Sequence, residues 1–195
     1  MTNLAVIFHS GIGHTANAAA ALAEGAAAVD GVHVSVHRIT EDQMTDGRWH
    51  DQPTIDALNA ADGIVFGSST YMGGASWPFK AFADATAPMW MTSAWKDKIA
   101  GGFTASGFPS GDKVMTLHYL ATLAAQLRMI WVGPAAMSSR LTGDGQNLDQ
   151  WGYYLGCGVS GGQPGTPTDP ADLATARAYG QRLVIVTHRW ANSST

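Results

Sequence analysis

Residues 4–15 read Leu4-Ala5-Val6-Ile7-Phe8-His9-Ser10-Gly11-Ile12-Gly13-His14-Thr15, and an alanine-rich stretch without proline follows. The apolar run predicts a buried strand and the alanines predict a helix from Thr15 to Val29, with a strand-to-helix turn between them. Such a turn gathers backbone N–H groups and hydroxyls at one spot, where the helix dipole favours negative charge. No Lys or Arg precedes Arg38, so an anion here must be held by amides and hydroxyls. The turn lacks the Lys-Ser/Thr pair of a nucleoside-triphosphate loop and the G-x-G-x-x-G dinucleotide pattern; a phosphomonoester suits it better. An ordinary turn, with Gly11 and Gly13 for geometry and Thr15 near the N-cap, is the plainer reading of the same residues.

Downstream, strands and helical patterns alternate. Strands are predicted at Leu4–Phe8, Val32–Val36, Gly63–Gly67, Ile99–Thr104 and Met129–Val132, and helices at 54–60, 77–86, 114–126 and 170–187, the last capped by Thr168 or Asp169. Apolar strands separated by helices predict an α/β fold: a doubly wound sheet of five parallel strands with helices on both faces, in one domain over residues 1–195. In the flavodoxin-like version, ligands bind at the carboxyl ends of the strands, around the switch point between the first and third.

The segments at that edge are unusual. Ser68-Ser69-Thr70-Tyr71-Met72-Gly73-Gly74-Ala75-Ser76 follows the third strand, and Thr104-Ala105-Ser106-Gly107-Phe108-Pro109-Ser110-Gly111 follows the fourth. Glycines let backbone approach a flat ligand, and the exposed amides can bond its carbonyl and ring nitrogens.

The stretches H-S-G-I-G-H-T, F-G-S-S-T-Y-M-G-G, F-T-A-S-G-F-P-S-G and P-T-D-P-A-D-L-A-T-A-R-A-Y-G-Q-R, in this order, resemble the flavodoxin-like NAD(P)H:quinone oxidoreductases of the tryptophan-repressor-binding-protein type. The resemblance runs from Leu4 to about Val186. It implies an FMN enzyme that takes two electrons from NADH or NADPH, reduces quinones and assembles as a homo-oligomer. It also implies cofactor-binding residues: Ser10, Gly11, Gly13, His14 and Thr15 toward phosphate, and Ser69, Thr70, Tyr71, Met72 and Gly73 toward ribityl and ring. Thr104, Ala105, Ser106, Gly107 and Gly111 would complete the set. No metal ligand and no side-chain acid or base is implied, because the cofactor carries the chemistry. Tyr71 and Met72 stand where the family has arginine and phenylalanine, and the family's histidine after the fourth helix is missing around Gln126.

Composition bounds the alternatives. A formal net charge of -4 gives no basic footprint for nucleic acid. No apolar run approaches a membrane span, no targeting segment is visible, and the single Cys157 suits a reducing cytoplasm. A flavodoxin-type electron carrier or a non-catalytic flavin-binding module is the second function class, and carriers tend to be more acidic than this chain. Asp112 is read as a cap of the fourth helix. The segment 133–167, without a periodic element, is read as a loop that walls the site, reaches a neighbouring subunit, or packs as a surface flap, with Arg140 a contact for NAD(P)H phosphates. Trp77, Met89, Trp90, Met91 and Trp95 predict an apolar surface for a symmetry mate, with the solvated pair Lys80–Asp84 beside it.

Overall fold

In the computed structural model, which describes residues 1–192, the chain runs β1 (Thr2–His9), α1 (His14–Ala27), β2 (Val32–Ile39), β3 (Met44–Thr45), β4 (Arg48–Trp49), α2 (Gln52–Ala60), β5 (Gly63–Tyr71) and β6 (Gly74–Ala75). It continues through α3 (Trp77–Ala85), α4 (Ala87–Thr92), β7 (Ile99–Ser106), α5 (Lys113–Gln126), β8 (Ile130–Trp131), α6 (Ser139–Thr142), β9 (Cys157–Ser160) and α7 (Pro170–Asn192). Successive side chains of a strand leave opposite faces, and β1 uses both. Leu4, Val6 and Phe8 join a core with Ala18 and Leu22 of α1 and Tyr179 and Leu183 of α7. Ala5 and Ile7 join another with Leu58 of α2, Phe79 and Phe82 of α3, and Leu117 and Leu120 of α5. The main sheet is parallel in the order β2-β1-β5-β7-β8. This is the predicted flavodoxin-like arrangement, and its switch point lies between β1 and β5.

Helices α1 and α7 touch at backbone distance. A Cβ on Gly25 would fall 2.1 Å from the Arg177 carbonyl oxygen, and one on Gly180 would fall 2.0 Å from that of Leu22. Alanine at either position would force the pair apart.

The fifth strand departs from expectation. The stretch predicted at Met129–Val132 supplies only β8, paired with the start of β7 through Ile99↔Ile130 and Ala100↔Trp131. After a long excursion β9 returns to the same edge of β7, from Phe103↔Cys157 to Ser106↔Ser160. At the break the Gly102 N–H donates to the Tyr179 hydroxyl at 3.2 Å, and that hydroxyl donates to the Val132 carbonyl at 2.5 Å. A side chain of α7 thus replaces the missing rungs of the ladder, as buried backbone polar groups require. The gap between the strands also holds α6, so 133–167 is not without elements.

Two further expectations change. Trp95 is fully buried with its Nε1 donating to Asn59 Oδ1 at 2.7 Å, and Met89 is buried too; of the five residues expected on an apolar surface, Trp77, Trp90 and Met91 are the exposed ones. Lys80 and Asp84 do form the exposed i,i+4 pair. Asp112 makes no capping bond and sits in the left-handed region at φ 53°, whereas Asp169 caps α7 by accepting from Ala171 N at 2.8 Å.

Candidate functional site

The loop after β1 is built almost entirely from itself. Ser10 Oγ accepts from Gly13 N at 3.2 Å and Ala16 N at 3.1 Å, which curls the backbone under the first turn of α1. Gly13 holds the N-cap position at φ 107°, a conformation that favours glycine. With those bonds made, the N–H groups of Ile12, His14 and Thr15 have no protein acceptor among the described residues. The Ser10 hydroxyl, already an acceptor twice over, keeps its proton to donate. The first cation of the chain reaches this loop after all, because β1 and β2 pair Phe8 with Arg38, and the guanidinium donates to the Ser10 carbonyl at 2.9 Å.

The loop after β5 meets it. Ser69 Oγ lies 2.9 Å from Thr15 Oγ1 and accepts weakly from Gly11 N at 3.4 Å. Thr70 Oγ1 lies 2.8 Å from Thr104 Oγ1 and 2.7 Å from Thr116 Oγ1, which ties β5 to β7 and α5. Tyr71 and Gly74 close a two-residue hairpin in which Met72 (φ 49°) and Gly73 (φ 77°) are both left-handed, the type I′ geometry. The Tyr71 hydroxyl rests where a Cβ on Gly11 would stand, 2.0 Å away. Beside these residues His9 Nδ1 lies 2.8 Å from Ser76 Oγ; burial, with Arg38 adding to it, lowers the His9 pKa.

The loop after β7 is held by groups from outside it. Ser106 Oγ donates to the Phe108 carbonyl at 3.0 Å and packs against Gly111. The Lys113 ammonium, whose side chain is fully buried, donates to the Phe108 carbonyl at 2.5 Å, the Pro109 carbonyl at 3.0 Å and Ser160 Oγ at 3.2 Å. The Tyr153 hydroxyl donates to the Pro109 and Ser110 carbonyls, and its ring stands 5.6 Å from the ammonium. Burial lowers the Lys113 pKa to about 8 in spite of the attraction of Asp172, and raises that of Asp172 in spite of Lys113 and a bond from Ser160 N at 2.7 Å. For both groups desolvation outweighs their mutual attraction.

Ile12, His14, Thr15, Ser69, Thr70, Tyr71, Ala105 and Ser106 line one cleft where the three loops converge. Ser10 and Thr104 are buried, Met72 and Gly107 are exposed, Gly73 is half-buried, and Gly111 packs against Ser106. A larger hollow of about 1130 Å³ between the β3–β4 hairpin and α3 shares no lining residue with it. From sequence Lys113 is only a residue at the start of the fourth helix, Tyr153 one aromatic of the long segment and Thr168 a candidate cap of the last helix; the contacts that tie them to the site were not foreseen. A lysine in the first turn of a helix opposes the helix dipole, and that local misfit was the available clue to Lys113. Arg140 lies away from the cleft, stacked 4.7 Å over Trp151 and donating to Gln150 Oε1 at 3.0 Å. Cys157 is buried, which raises its pKa and makes it inert. Among the described residues no group of His, Cys, Asp or Glu could hold a metal ion, and no helix is long and apolar enough to cross a membrane.

Comparison with known proteins agrees with this geometry. A flavodoxin named FldP from Pseudomonas aeruginosa is 37% identical, over 95% of this chain and 97% of that protein. Quinone-oxidoreductase QR2 from Triphysaria versicolor is 30% identical, over 94% of this chain and 93% of that protein. The crystal structure of a WrbA-like flavodoxin from Agrobacterium tumefaciens is 36% identical and superposes with a TM-score of 0.74, covering 97% of this chain and 99% of that one. The sequence model of the NADPH-dependent FMN reductases matches residues 5–142, and this flavodoxin-like chain belongs to that family.

Proposed function

We propose that the three convergent loops bind FMN and that the protein is an oxidoreductase moving two electrons from NADH or NADPH to quinone-type acceptors. The observation that carries the reading is the set of N–H donors without protein acceptors at the start of α1, those of Ile12, His14 and Thr15, with the buried, unpartnered Nε2 of His14 beside them. Such a set suits an ionised phosphomonoester. Ser10, Gly11, Gly13, His14 and Thr15 would hold the phosphate; Ser69 to Gly73 and Thr104 to Gly107, with Gly111 shaping the turn, would face ribityl and ring. When bound, FMN supplies the hydride and electron chemistry. The chain's part is to position and to shield. Exposed Tyr71, Met72, Phe108 and Ile12 form an apolar rim that suits a planar substrate and limits water at the opening.

The test is titration of the flavin-free chain with FMN, followed by NAD(P)H oxidation in the presence of benzoquinone. Quenching of flavin fluorescence and parallel double-reciprocal lines are expected, since both substrates need the same face; absence of quenching rejects the reading. A flavodoxin-type carrier is the second reading, supported by the likeness to the flavodoxin of Pseudomonas. Reduction in two separate one-electron steps with negligible benzoquinone turnover selects it. A soluble, cytoplasmic homo-oligomer completes the proposal, its contact made through Trp77, Trp90 and Met91, which are 56%, 46% and 76% exposed. Light scattering at the monomer mass of 20.5 kDa with full activity rejects the oligomer.

A further inference from the structure

His14 opens α1 with its ring buried to 4% exposure. Its Nδ1 lies 2.9 Å from Thr168 Oγ1, while Nε2 is buried without a partner among the described residues. Thr168 Oγ1 also accepts from Asn17 Nδ2 at 3.0 Å. A hydroxyl has one proton to give, and among the described residues buried Thr168 has no acceptor for it other than His14 Nδ1. In a neutral imidazole that bond leaves the ring's own proton on Nε2. The ring is also fixed in place. A Cβ on Gly161 would fall 2.1 Å from His14 Cγ, so the ring lies flat on that backbone, and Gly161 N is tied to the Ser106 carbonyl at 3.1 Å. A donor is therefore held buried and unmatched beside the cleft, an arrangement that lowers stability unless an acceptor arrives.

We propose that Thr168 and Asn17 are positioning residues that hold His14 as an Nε2–H donor to the phosphate of FMN, so that the site selects phosphorylated flavin over riboflavin. This rests on the flavin reading above. The loop between β9 and α7, absent from the three binding loops, then governs which flavin is taken.

The experiment compares FMN with riboflavin on the full flavin-free chain, by fluorescence quenching, and reads the ring ¹⁵N shifts of His14 in the same samples. In the wild type the shifts should place the proton on Nε2. Thr168→Val, nearly equal in shape, should lower FMN affinity about tenfold or more, leave riboflavin affinity within about twofold and redistribute the ring proton. Thr168→Ser should restore both. Asn17→Ala, on the surface side of the relay, should act in the same direction if Thr168→Val does not fold. A wild-type proton on Nδ1, or variants whose FMN-to-riboflavin ratio equals that of the wild type, would overturn the proposal. Failure of the wild-type chain to bind either flavin would overturn the flavin reading and the phosphate selection with it, whereas the ring shifts judge the Thr168–His14 relay independently.

Discussion

The loop after β1 and the loop after β7 present similar residues to one cleft, yet they are held in opposite ways. In the first, Ser10 bonds Gly13 and Ala16, three and six residues on. In the other, Lys113 from α5 and Tyr153 from the excursion grip the carbonyls of Phe108, Pro109 and Ser110. The first loop carries its conformation in its own sequence. The second takes its conformation from the fold, so its order depends on how firmly α5, β9 and the excursion dock.

The contrast is most sharply tested at Lys113. Lys113→Met leaves two loop carbonyls and Ser160 without their donor while removing a buried charge. The expected result is FMN binding weaker by about ten- to a hundredfold with global stability changed by no more than about 1 kcal/mol. Flavin titration beside urea unfolding measures both, and unchanged affinity would show that the first loop alone suffices.

Ser10→Ala should act on stability directly, in addition to any loss of a phosphate donor. Losing the acceptor for two backbone N–H groups at a helix start should destabilise the fold by about 1–2 kcal/mol. If urea midpoints for Ser10→Ala and wild type coincide, the first loop is not self-supporting.

A pH series sharpens the same comparison. The folded pKa of Lys113, about 8, lies below the ordinary 10.5, so between those values the unfolded chain binds more protons and stability rises with pH. Burial of the Cys157 thiol works the other way above its ordinary 9, so pH 8 to 9 is the clean window. Relative to Lys113→Met, the wild type should gain up to about 1 kcal/mol across it. A flat difference would mean that the ammonium is not desolvated.

The smallest effect belongs to the hairpin of the second loop. Met72 is fully exposed in a left-handed conformation, and Met72→Gly should stabilise by about 0.5 kcal/mol without altering the FMN-to-riboflavin ratio. A loss of stability would show that the Met72 side chain has a packing partner.

The same division explains what was legible in the sequence. The strand from Leu4 to Phe8, the alanine helix and the turn between them are set by neighbours in the chain, and the sequence reading matched them closely. The parallel order followed because each apolar strand was followed by a helix. The second half of the fifth strand was not legible: Cys157 to Ser160 is a short run among glycines, and only its register on β7 makes it a strand. Thr168 was read as one of two possible caps for α7; nothing in the sequence says that its hydroxyl instead crosses to His14. Trp95 and Met89 looked like surface residues because a count of large apolar side chains does not say which face turns inward.

The break in the fifth strand has a consequence for engineering. Residues 141–147 are exposed, with Gly143 and Gly145 in left-handed turns, and the family match ends at residue 142. A cut there severs no rung of the sheet. It divides the protein into a piece bearing β1, β2, β5, β7 and β8 and a piece bearing β9, α7, Thr168 and Tyr179. Neither piece holds the whole cleft: the first lacks the hydroxyl that sets His14, and the second lacks every binding loop. The joint is therefore a natural place for fragment complementation or circular permutation, with flavin capture reporting that the two pieces have found each other.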